Sequence, residues 1–131
     1  MSTQILRQAV LKHEDDFSTR FPKAAKSLCG YVALALNQLG YGKIARIYVK
    51  TDVDFKNMCV PAMEGDGWEL PHYVVIEPTG NILDVSLPEG FVATGYGEPF
   101  PPGNQVHEDD RFLYRDADAI RFWRINFSRL T

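Results

Sequence analysis

The stretch Pro71–Ser86, PHYVVIEPTGNILDVS, constrains this chain more than any other. Two β-rich runs flank Glu77-Pro78-Thr79-Gly80-Asn81. Proline presets the first corner of a turn and glycine accepts a left-handed backbone, so these residues suit a type I turn closed by a glycine bulge. That three-residue loop sets Glu77 opposite Asn81 and Val74 opposite Asp84. Side chains alternate along a strand, so His72, Val74, Ile76, Ile82, Asp84 and Ser86 share one face. Tyr73, Val75, Leu83 and Val85 share the other. His72 and Asp84 then become diagonal neighbours. A two-residue turn at Thr79-Gly80 would place them on opposite faces instead.

The acid has a reason to meet the histidine. Apolar residues on both faces of the hairpin imply burial on both sides, and a buried aspartate without a partner is costly. A carboxylate beside an imidazole fixes its tautomer and stabilises its charged form. The other histidines lie in polar surroundings: His13 in the polar part of the first helix, His107 among acids. Both read as solvated surface residues.

Upstream, Ala24 to Gly40 is apolar from Cys29 to Leu39 apart from Asn37 and Gln38. A helix apolar on most sides is a central, buried one. Gly40 suits its C-terminal cap. Ser27 suits its N-cap and would put Cys29 in the first turn. A helix starting near Pro22 would make Cys29 an interior residue. At a helix start, partial positive charge and unpaired N–H groups favour a thiolate and can hold an oxyanion. The competing role for Cys29 is a small hydrophobe in a core helix.

Elsewhere the pattern is simpler. Ile5 to Phe17 reads as an amphipathic helix with Ile5, Leu6, Ala9, Val10 and Leu11 inward and Ser2 or Thr3 as its cap. Ser18 to Pro22 breaks it. Lys43 to Lys50 alternates as a strand. Thr51 to Leu70 reads as irregular, with Gly65-Asp66-Gly67-Trp68 as a loop. Phe91 to Thr94 and Phe112 to Arg115 read as short strands, with a long loop from Gly95 to Asp110 between them. Asp116 or Asp118 caps a final helix through Ala119, Ile120 and Trp123.

The 131 residues suit one domain, residues 1–131, and 45% hydrophobic content supplies a core. A net charge of −3 argues against nucleic acid or an anionic membrane as the main partner. No run is long enough to span a bilayer, and the first residues lack the build of a signal peptide, so a cytoplasmic location is expected. Two cysteines without an export signal read as free thiols. Histidine and cysteine spacing gives no metal site, and no cofactor is implied.

Leu28-Cys29-Gly30-Tyr31-Val32, Pro71-His72-Tyr73-Val74-Val75 and Gly80-Asn81-Ile82-Leu83-Asp84-Val85 together resemble the papain-like cysteine hydrolase superfamily. The transglutaminase-like branch is the nearer likeness, and cell-wall peptidases of the NlpC kind the second. The likeness spans roughly Ser27 to Ser86. It implies an α+β fold, with an antiparallel sheet packed against a central Cys-bearing helix. It also implies a Cys29–His72–Asp84 triad for acyl transfer from a peptide or protein amide, as peptidase, deamidase or transferase. The transglutaminase pattern carries tryptophan after the histidine, where this chain has Tyr73. The NlpC pattern carries serine after the nucleophile, where this chain has Gly30.

Trp68, Tyr31 and Ser27 are the candidates for lining a substrate cleft. Ser27, Tyr31 or Asn57 would supply a second oxyanion donor, while Gln38 lies too far along the helix. The 95–103 loop, with Tyr96 and Phe100, is a candidate protein-binding surface. Two other functions fit the same residues: a non-catalytic protein-binding member of the same fold, and a small phage or mobile-element accessory protein.

Overall fold

A computed structural model describes residues 3–54, 59–62, 65–86, 92–99 and 116–130. Among these residues, three helices and an antiparallel sheet form a mixed α+β architecture. The helices are α1 (Thr3–Arg20), α2 (Leu28–Gln38) and α3 (Ala117–Ser128), with a short 3-10 turn at Ala24–Ser27 before α2. The strands are β1 (Lys43–Thr51), β2 (Val60–Pro61), β3 (Trp68–Ile76), β4 (Ile82–Leu83) and β5 (Val92–Pro99). Among the described residues no helix is long and apolar enough to cross a membrane.

β3 organises the sheet. β1 pairs antiparallel with its full length, from Lys43 opposite Ile76 to Thr51 opposite Trp68. β5 lies on the outer side of β1. The other edge of β3 takes β2 at Trp68 and Glu69, and β4 at Val75 and Ile76. The strand therefore starts at Trp68, inside the span expected to be irregular. What makes it a strand is its partners on both sides, which local glycines do not reveal. Likewise Gly95–Pro99 belongs to β5 rather than to a loop. The expected strand at Phe112–Arg115 and the rest of the long loop lie outside the described residues.

The sheet separates two apolar clusters. One joins Leu6, Val10 and Phe17 of α1, residues Tyr31–Leu36 of α2, Ile44, Tyr73, Val75, Leu83 and Val85, and Phe122, Trp123 and Phe127 of α3. The other holds Ala45, Ile47, Val49, Leu70 and Val74, with Ile76 and Ile82 at its margin. The two sets follow the period-two alternation of β1 and β3.

α2 is central, as its composition predicts: Gly30 to Leu36 are all buried. Its end is a Schellman arrangement, in which Gly40 N–H donates to Asn37 O and Tyr41 N–H donates to Leu36 O. α1 departs from expectation. It continues to Arg20 through the supposed break, and Ile5 and Leu11 are exposed while Phe17 is buried. Phe17 turns inward because its ring meets Phe21, Tyr31, Phe122 and Trp123. Thr3 is the first helical residue of α1. Asp116 caps α3, its carboxylate accepting from the N–H groups of Asp118 and Ala119.

Candidate active site

The turn fixes the geometry. Gly80 N–H donates to Glu77 O at 2.8 Å, and Glu77 N–H donates to Asn81 O at 2.9 Å. Gly80 has φ +89°, the left-handed value that closes a three-residue loop. The pairing that follows is Ile76 with Ile82 and Val75 with Leu83. Extended by one residue, this register sets Asp84 beside Val74, diagonal to His72. Tyr73, Val75, Leu83 and Val85 all belong to the helix-side cluster, and Val74, Ile76 and Ile82 to the other.

The diagonal is closed by a hydrogen bond. His72 Nε2 and Asp84 Oδ1 lie 2.8 Å apart. An ionised carboxylate only accepts, so Nε2–H donates. Nδ1 is left as the second ring position. His72 is 1% exposed, opposite Ile47 of β1.

Cys29 occupies the first turn of α2, directly after the 3-10 turn, and is half-buried against the helix-side cluster. Its side chain lies close enough to the His72 ring to act on that ring's pKa. Burial is the largest single influence on His72 and lowers its pKa. The hydrogen bonds to Asp84 and Cys29, with the charges of both, outweigh it and raise the pKa from 6.5 to about 9. His72 is therefore protonated at neutral pH, placed between a sulfur and a carboxylate. Neither cysteine is in a disulfide.

The supporting residues fare differently. Ser27 stands at the N-cap position of α2, but its hydroxyl makes no capping hydrogen bond. Tyr31 is 2% exposed, with its ring centroid 6.2 Å from that of Phe17. That burial places its ring in the core, against Phe17, rather than in a cleft. Trp68 lies on β3 rather than in a loop, half-buried, and strand alternation puts it in line with Leu70 and His72. Asn57 and residues 100–103 lie outside the described residues. Of the 95–103 segment, residues 95–99 form the end of β5. Among the described residues, no three His, Cys, Asp or Glu side chains converge as a metal site.

No family model, curated protein or solved structure matches the chain.

Proposed function

We propose that this chain is a thiol-dependent acyl-transfer enzyme of papain-like type, acting on an amide bond through Cys29, His72 and Asp84. The observation behind this reading is the 2.8 Å contact of Asp84 with His72 Nε2 on a buried imidazole, with Cys29, at the start of α2, among the groups that raise the pKa of the same ring. A nucleophile, a base in reach of it, and a third group orienting the base are the recognisable parts of such a site.

The chemistry follows from those positions. The Cys29 sulfur attacks the carbonyl carbon of an amide, forming a C–S bond and a tetrahedral oxyanion. His72, protonated at neutral pH, gives its proton to the departing nitrogen as the C–N bond breaks. The product is an acyl-thioester with a neutral imidazole. Water then attacks the thioester while His72 takes its proton, releasing a carboxylic acid and restoring the thiolate–imidazolium pair. An amine in place of water would give a new amide. Asp84 holds the ring throughout and offsets its positive charge. The helix start at Cys29 offers backbone N–H groups toward the oxyanion.

The near-complete burial of His72 favours a second reading, in which the network is a structural element of a protein-binding member of the fold. The two are separated by challenging the folded protein with iodoacetamide at neutral pH and locating the adduct by mass spectrometry. The enzyme reading expects Cys29 to react faster than Cys59, and His72→Ala to abolish that difference. Equal or slower labelling of Cys29 in the wild-type chain would sink it. Hydrolysis of an activated ester or a glutaminyl peptide should fall at least about a thousandfold in Cys29→Ala and be unchanged in Cys59→Ala.

A further inference from the structure

The outer face of α3 carries an unusual grouping. Its inner face packs Ala119, Phe122, Trp123, Asn126 and Phe127 into the core. Outward, Arg121, Arg124, Ile125, Ser128 and Arg129 border a groove of about 430 Å³ whose remaining wall is Leu39, at the end of α2. The three arginines are exposed and Ile125 is 44% exposed. The lining contains no acidic residue. Among the described residues the ion pairs are Arg20 with Asp16 and His72 with Asp84, so none of these three guanidinium groups is matched by a carboxylate. No acid stands three or four residues from Arg124 or Arg129, and Asp118, three residues before Arg121, makes no ion pair with it.

Two features of this groove narrow its occupant. Three guanidinium groups surround it in a chain whose net charge is −3, so the cluster stands against the overall charge. Its apolar lining is Ile125 and Leu39. A phosphate backbone would use the arginines and leave these two side chains wet. An acidic peptide with one large apolar side chain uses both: carboxylates take bidentate hydrogen bonds from arginine while the apolar side chain covers Ile125. We infer that the α3 groove docks an acidic segment of a partner protein, with a leucine-like anchor seated between Arg121, Arg124 and Arg129. The groove stands at the far end of α2 from Cys29, about 15 Å along the helix axis at 1.5 Å per residue. It is thus a site separate from the thiol, and it stands whether or not that thiol is catalytic.

The test is selection of a random dodecapeptide phage library on the whole chain, followed by calorimetry with the synthesised winners. Enriched peptides should carry several Asp or Glu around one Leu, Ile or Phe. Arg121→Ala and Arg124→Ala should each weaken binding roughly tenfold, as loss of a charge-assisted hydrogen bond does, with unchanged circular dichroism and thermal midpoint. Ile125→Ser should weaken the same peptides, and Cys29→Ala should not. Enrichment of peptides without acidic residues, no enrichment, or binding that survives both arginine variants would overturn the inference. So would tighter binding of a single-stranded oligonucleotide or of anionic phosphatidylserine vesicles than of any selected peptide.

Discussion

His72 Nε2 and Asp84 Oδ1 meet at 2.8 Å although twelve positions separate them in the chain. The meeting depends on the count of residues in the turn between β3 and β4. Removing Thr79 should therefore do more damage than its exposed position suggests. A two-residue loop shifts the register by one and turns Asp84 to the other face. The deletion should lose the His72–Asp84 bond and remove any labelling preference for Cys29, while the substitution Thr79→Ala leaves both intact. Labelling by iodoacetamide and the histidine ring signals in NMR report the outcome.

Asp84 is the partner of a buried ring, with 2% and 18% side-chain exposure for His72 and Asp84. Breaking such a pair leaves the survivor buried and unmatched, which costs more than the pair itself contributes. Asp84→Ala should lower the unfolding free energy by about 3 kcal/mol at pH 7. Asp84→Asn keeps an acceptor for Nε2–H and should cost less. Urea denaturation of the two variants side by side gives the comparison.

The pH dependence has a definite sign. His72 has its pKa raised from 6.5 to about 9, so the folded state binds its proton more tightly than the unfolded chain does. Such a group contributes fully below pH 6.5, and the contribution fades as pH rises from there through about 9. The stability gap between the wild type and His72→Gln should therefore contain a pH-dependent part that shrinks across this window and levels off above it. A ring signal of His72 that titrates near 6.5 rather than near 9 would contradict the raised pKa.

How much of this was legible in the residues depends on how local each cause is. The turn at Pro78-Thr79-Gly80 is local chemistry, so the β3–β4 register could be counted from it. The α3 cap at Asp116 and the α2 end at Gly40 are legible for the same reason. The three residues of β3 before Pro71 are not. Trp68 and Glu69 become strand because Thr51, Lys50, Pro61 and Val60 lie beside them, and no neighbour in sequence announces that. Phe17 is buried by rings from α2 and α3, which a helical periodicity confined to α1 cannot reveal. Cys29 and His72 were individually suggestive, but their contact is long-range. The arginines of α3 carried a signal in their spacing on its polar face, which becomes meaningful only once Leu39 closes the groove.

Gly42 stands where β1 begins, against the end of β3. A Cβ there would collide with the Ile76 carbonyl and come within 2.9 Å of Val75 Cγ1. The carbonyl is backbone and cannot rotate away. Gly42→Ala should destabilise the fold by about 1–3 kcal/mol, whereas Gly65→Ala, with open space around it, should be limited to the cost of its left-handed backbone. Thermal midpoints of the two variants make the contrast.

Among the described residues Trp123 is the largest fully buried side chain, and its indole Nε1 has no hydrogen-bond acceptor among them. Its ring sits among Phe17 and Phe122, each with centroid 5.1 Å away, and Phe127 at 5.7 Å. The tryptophan is thus held by packing, and an N–H left without an acceptor among the described residues carries a penalty of about 1–3 kcal/mol. Trp123→Phe removes that N–H and keeps an aromatic ring, so the two effects oppose each other, and a net cost below about 1.5 kcal/mol is expected. Trp123→Ala empties the same space and should cost about 3–5 kcal/mol. Equal losses in the two variants, measured by urea unfolding, would mean that the indole N–H has a partner and that polar contact, not ring packing, fixes this end of α3.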